Sequence, residues 1–182
     1  RMTHERRIYV TALQAALAEH VAGGNLVYHG FADHLLLAGV PAVLRVRLIA
    51  PLEMRVRAVM GQHKLTREAA ARYIEEIDED RSRGAEFIYG AALRDPALYD
   101  LTINLDTMTV ESACAVVASV ATRPEFTVTR EVQEQLADFA LACRVRIALA
   151  TTLATRSLEL EVSAARGLVT VAGEVPEATM IT

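Results

Sequence analysis

The sequence predicts an α/β fold in which helices flank a parallel sheet, followed by a small α+β module. Three observations carry this. Strand-like and helix-like apolar periods alternate as far as residue 121, and such alternation argues for parallel strands joined by helical crossovers. After Arg123-Pro124 the pattern changes to one long helix and two closely spaced strands. Finally, 52% hydrophobic against 23% charged residues, with no low-complexity stretch, suffices to bury a core and excludes a disordered chain. The 182 residues are therefore divided into a first region, 1–122, and a second, 123–182.

Taken in order, Ile8, Leu13, Ala16, Leu17 and Val21 recur at helical spacing over residues 5–22, and Gly23-Gly24 stops the pattern. Residues 25–29 and 42–50 read as strands, the second rich in aliphatic side chains, with a short helix over 31–37 between them. Pro51 suits the first turn of a helix, where its missing N–H would have no intrahelical partner. Leu52, Arg55, Val56 and Val59 carry that helix on until Gly61 ends it. Thr66 caps the next helix, from 66 to about 83, whose alternating charges mark a largely solvated face. Residues 99–105 form a buried strand, and 109–121 a helix through Val110, Ala113, Val116, Val117 and Val120. A long helix from about 129 to 152 then precedes strands at 158–163 and 168–175, with Arg166-Gly167 as the hairpin turn.

Charge and motif content exclude several function classes. A formal charge of -4 with both signs interspersed provides no field to gather nucleic acid. The longest apolar run, 35–44, is too short for a membrane span and is broken by Gly39 and Pro41. Cys114 and Cys143 lie far apart in helical patterns, without metal or redox spacing, and read as buried thiols of a reducing compartment. A cytoplasmic location and no metal centre are expected. No Gly-x-Ser-x-Gly elbow or carboxylate/histidine metal cluster points to a hydrolase. Arg1 before Met2 suggests a chain cut from something longer.

Four stretches, in this order and spacing, resemble the cytidylate-kinase-like family: Leu-Arg-Val-Arg-Leu-Ile-Ala-Pro-Leu-Glu-Met-Arg (44–55), Ile-Asp-Glu-Asp-Arg (77–81), Phe-Ile-Tyr-Gly (87–90) and Tyr-Asp-Leu-Thr-Ile-Asn-Leu-Asp (99–106). The resemblance covers residues 1–121. It implies a partial P-loop-kinase-like sheet in which the charged helix at 66–83 is the mobile lid over the phosphates. Lid arginines in that family neutralise the phosphoryl group in transit, which requires charge on an element that closes over it. Arg81 and Arg55 are the catalytic candidates on this basis, with Arg72 on the substrate-binding side. Asp78, three residues before Arg81, is placed to orient it or to contact the acceptor nucleotide. The other reading of these side chains is exposed charge on a polar helix.

Tyr28-His29-Gly30 falls where the family has a Gly-Arg pair for the monophosphate. His29 can donate to a phosphate there, or it is a structural histidine at a strand end. Asp33 is assigned to the same crevice, its alternative being a helix N-terminal carboxylate. Nowhere does Gly-x-x-x-x-Gly-Lys-Ser/Thr occur, the loop whose N–H groups and lysine hold the ATP phosphates. Mg-ATP is thus the cofactor implied for the intact family enzyme, with none expected to bind tightly to this chain alone. A loop lying upstream of Arg1 is the expected explanation.

Val162, Gly167, Val169, Val171, Gly173 and Val175 resemble the spacing of the BON domain, a small αββαβ fold, over 137–182. That resemblance implies lipid, membrane or other ligand association of the tail; a hairpin that merely packs or dimerises is its alternative. Incomplete sheets leave edges that pair with another copy, so a homodimer or larger assembly is expected. Two functions follow. One is part of a kinase that phosphorylates CMP or a similar nucleoside monophosphate, inactive alone; the other is a non-catalytic regulatory or interaction protein on a kinase-like scaffold.

Overall fold

The computed structural model describes residues 4–21, 26–30, 36–37, 40–90 and 92–174. These fall into two compact units, one within Arg1–His29, Leu36–Ala42 and Val128–Thr182, the other within Gly30–Leu35 and Val43–Thr127. The first helix thus groups with the C-terminal segment, whereas the sequence reading set it with the residues up to 122.

In the Val43–Thr127 unit, β1 (Val46–Ile49) and β2 (Leu101–Asn104) run parallel, Val46 opposite Leu101 and Ile49 opposite Asn104. Both are shorter than the strands expected at 42–50 and 99–105. Parallel strands need a long crossover, here supplied by α2 (Leu52–His63) and α3 (Arg67–Tyr89). The register is fixed where the strands begin: the Asp100 carboxylate accepts from the Arg45 backbone N–H at 2.8 Å and from its Nε and Nη2 at 3.0 and 2.8 Å. Arg47 lies over the Tyr99 ring, 5.4 Å from its centroid.

Helix α2 begins after Pro51 as expected but passes through Gly61 to His63, ending at Lys64 in the left-handed conformation. A glycine costs a helix only about 1 kcal/mol, and the flanking Val59 and Met60 pack on the core of Val56, Ala70 and Ile74, which outweighs it. Helix α3 starts at its cap, where Thr66 Oγ1 accepts from the Ala69 N–H at 3.3 Å. It runs on past Arg83 because Ala85, wholly buried, continues the stripe of Ala70 and Ile74. Gly90, at φ 64°, ends it and donates its N–H to the Glu86 carbonyl. The Phe-Ile-Tyr segment is therefore the last turn of α3 rather than a segment after it. Helix α4 (Val110–Ala121) is capped by Thr109 and buries Ala113, which leaves the next residue, Cys114, exposed instead of buried.

In the other unit, α1 (His4–Val21) packs along α5 (Arg130–Thr151) through a core that includes Leu17, Ala18, Leu136, Ala140 and Cys143. The antiparallel hairpin β3 (Leu160–Ala165) and β4 (Leu168–Gly173) lies on α5, with Val162 opposite Val171. Arg166 and Gly167 make the expected turn, both at positive φ, and the Asp138 carboxylate of α5 accepts both their N–H groups at 2.7 and 2.8 Å. Arg146 donates through Nε and Nη2 to the Val162 carbonyl.

Residues 26–30 form no strand: they are irregular and exposed, Val27 at 95%. They join neither of the two strand ladders of the described residues. Of the short helix expected at 31–37, Leu36 and Leu37 form a buried turn and 31–35 lie outside the described residues, as does the strand's end at Val175. Among the described residues no helix is long and apolar enough to cross a membrane.

Candidate functional site

In an open parallel sheet, ligands sit beyond the carboxyl ends of the strands. From that end of β1 the chain turns through Ala50-Pro51 directly into α2, so the first turn of α2 stands where a site is expected. Two ion pairs hold this turn to α3. Glu53 pairs with Arg67, and Arg55 makes a two-point fork to Asp78, Nη1 to Oδ2 and Nη2 to Oδ1, each 2.7 Å. Beneath them Val56 of α2 meets Ala70 and Ile74 of α3.

Alongside runs an open groove of about 580 Å³, lined among others by Leu52, Ile74, Glu75, Asp78, Arg83 and Arg94. Hydrogen bonding to the Arg55 guanidinium holds the Asp78 carboxyl below its ordinary value; partial burial opposes this, and the charges of Arg55, Arg81 and Arg94 add to it. Asp78 in turn raises Arg55. With side chains 35% and 44% exposed, the pair contributes about 1 kcal/mol at most, because solvent screens it. Its larger effect is geometric, since two parallel N–H···O bonds fix one orientation.

The structure brings three of the expected site residues together. Arg55 and Asp78 are in direct contact, and Arg81, exposed on α3 one turn beyond Asp78, acts on that carboxylate through space. Arg72 is exposed on α3 and does not line the groove. His29 belongs to the other unit, exposed in an irregular segment rather than at a strand end. Asp33 lies outside the described residues. Two further cations line the groove: Arg83, open from the sequence to either a functional or an exposed-charge reading, and Arg94, which was not among the candidates. Arg83 is tied to Asp80 at 2.8 Å, while Arg94 has no ion-pair partner among the described residues. Arg83 is separable from its charged neighbours only by the helical angle that puts positions 75, 79 and 83 on the face of Asp78. Arg94 sits in a segment without periodicity, just before the turn Pro96–Leu98, and nothing in the sequence points to it.

The β1–α2 connection does not fit the phosphates of Mg-ATP. It has no glycine-rich loop, and Pro51 lacks the N–H such a cradle uses. Among the described residues no three His, Cys, Asp or Glu side chains gather as metal ligands.

Comparison with known proteins adds the following. The cytidylate kinase-like family matches residues 1–107. Over 92 residues the chain is 34% identical to the cytidylate kinase of Methanopyrus kandleri, a stretch that covers 50% of this chain and 44% of that protein. The chain thus spans less than half the length of that curated relative. The crystal structure of an uncharacterized protein from Eubacterium ventriosum aligns over 50% of each chain, at 16% identity and a TM-score of 0.48.

Proposed function

The chain belongs to the cytidylate kinase-like family, and we propose that its Val43–Thr127 unit is the acceptor side of a nucleoside-monophosphate kinase that transfers the γ-phosphoryl group of Mg-ATP to CMP or a similar acceptor. The observation that carries this reading is the set of guanidinium groups on α2, α3 and the segment after it, interleaved with the groove carboxylates of Glu75, Asp78 and Glu79. The Arg55–Asp78 fork, Arg81 next to it, and Arg83 and Arg94 in the groove concentrate guanidinium groups beyond the end of a parallel strand. Phosphoryl transfer is catalysed mainly by positioning and by neutralising the charge on the moving group. Arginines supply both, as planar multi-donor cations that stay charged.

In this reading Arg94 and Arg83 meet the acceptor phosphate in the groove. Arg81, on the exposed side of α3, approaches the phosphoryl group when the helix closes as a lid, and Asp78 sets the positions of Arg55 and Arg81. Arg72, on α3, is assigned to a peripheral substrate contact. No Gly-x-x-x-x-Gly-Lys-Ser/Thr segment lies within the 182 residues, so this chain by itself is proposed to bind acceptor without turnover. A cytoplasmic location and self-association through free strand edges belong to the same proposal. A concentration-independent monomer mass in analytical ultracentrifugation contradicts the self-association.

A second reading is supported by the helix–hairpin of the other unit. The register places Val162 opposite Val171 and Ala164 opposite Val169, with Val162 buried and Val171 exposed, and Asp138 of α5 caps the turn. As a BON-like tail it would bind a ligand or membrane on behalf of a non-catalytic interaction protein.

Calorimetric titration separates the two. The kinase reading expects CMP to bind the chain, Arg94→Ala to weaken it strongly, and Mg-ATP to give no heat. Silence toward both nucleotides favours the interaction protein.

A further inference from the structure

The guanidinium of Arg55 is engaged along its terminal edge. Its two terminal nitrogens donate to both oxygens of Asp78, so the planar fork that recognises a phosphate is already filled by a carboxylate of matching geometry. Asp78 lines the groove and Arg55 does not. An anion entering the groove therefore meets the carboxylate rather than the guanidinium. Two cations stand ready to receive that carboxylate elsewhere: Arg81 and Arg94 both attract Asp78 through space, and neither has an ion-pair partner within 4 Å among the described residues. Nor does the attachment of α2 to α3 depend on this pair alone, because the Val56, Ala70 and Ile74 core and the Glu53–Arg67 pair persist without it.

We propose that the Arg55–Asp78 pair is an anion-exchange latch: a phosphate monoester in the groove replaces the Asp78 carboxylate on Arg55, and Asp78 turns toward Arg81 and Arg94. Asp78 is thereby a built-in competitor that sets the affinity of the site for phosphate and couples occupancy to the seating of α3 on α2. The inference rests on the phosphate-binding reading of the groove given above. Only hydrogen bonds and ion pairs exchange; no covalent bond changes.

The test uses inorganic phosphate and CMP as calorimetric probes of the whole chain and of four variants. Asp78→Asn removes the competitor while keeping the side-chain shape, and Asp78→Ser repeats the test with another side chain in case the first does not fold. Glu75→Gln is the control for simple loss of negative charge, since Glu75 also lines the groove and is in no ion pair within 4 Å among the described residues. Arg55→Ala added to Asp78→Asn removes the freed fork. Losing a partly exposed ion pair as competitor should tighten phosphate binding about fivefold in Asp78→Asn. Glu75→Gln should gain clearly less, and the double variant should lose the gain. The latch is overturned if Asp78→Asn binds no tighter than Glu75→Gln, or if its gain survives without Arg55. Weaker CMP binding in Asp78→Asn, with normal binding by the unaltered chain, also overturns it but leaves the acceptor site standing, with Asp78 as a direct contact. Failure of phosphate and CMP to bind any form overturns the acceptor reading itself and the latch with it.

Discussion

The two units are held together by different physics. In the helix–hairpin unit, tertiary contacts mostly join apolar side chains or run from a side chain to the main chain: Leu136, at 1% exposure, and Cys143 fill the α1–α5 core, Asp138 caps a turn, and Arg146 and Gln14 donate to the carbonyls of Val162 and Leu36, with one exposed ion pair, Arg144–Glu19 at 3.8 Å, between α5 and α1. In the β1–β2 unit the ties between elements include two charged forks, Arg45–Asp100 and Arg55–Asp78, and the single-contact pair Glu53–Arg67, over a smaller core of Val56, Ala70 and Ile74. Burial is not screened by salt, whereas partly exposed ion pairs are screened by it and compete with bound anions. Under the latch proposed above, one unit stays in place while the other exchanges partners.

The largest expected effect breaks the first half of this contrast. Leu136→Ala removes a fully buried side chain and should cost about 2–5 kcal/mol, read as a lowered melting temperature, with CMP affinity of the still-folded protein unchanged. Asp138→Ala should cost about 1–3 kcal/mol, since two N–H groups of the hairpin turn lose their acceptor, and hydrogen exchange should rise at Arg166 and Gly167 without a change in α3.

Acid sharpens the other half. Asp78 and Asp100 are both held below the ordinary carboxylate value of 3.8, chiefly by hydrogen bonds from Arg55 and Arg45. A carboxyl depressed in the folded state stabilises that state above its unfolded value, and the stabilisation is lost as pH falls through the folded value. The β1–β2 unit should therefore loosen from about pH 4 downward, each pair contributing no more than about 1 kcal/mol. Exchange rates measured residue by residue at pH 6 and pH 3 should show this in α2, α3, β1 and β2 first. The smallest effect is salt: raising ionic strength to 1 M should weaken the same ties by a few tenths of a kcal/mol, because the screening length falls to about 3 Å.

The same contrast explains what could be read from the sequence. Elements marked by a cap and a strong apolar period, α4 with Thr109 and α5 with Thr129, are legible because local chemistry alone defines their ends. The passage of α2 through Gly61 and of α3 beyond Arg83 is not, because burial of Val59, Met60 and Ala85 against distant residues decides it. Residues 26–29 have strand chemistry without a described strand partner, and pairing is not a local property. At the candidate site, Arg55, Asp78 and Arg81 were singled out through motif order, and a spacing of three made Asp78 and Arg81 neighbours. That Asp78 would be occupied by Arg55, twenty-three residues away, and that Arg94 would line the groove, depend on how α2 and α3 cross.

Backbone chemical-shift mapping with CMP tests the central claim most directly, because it reports both units in one experiment. The account predicts that saturating CMP shifts the amide signals of Leu52–Arg55, Glu75–Arg83 and Arg94 and leaves α1, α5 and the hairpin unchanged. Shifts confined to α5 and the hairpin, or none anywhere, would contradict it.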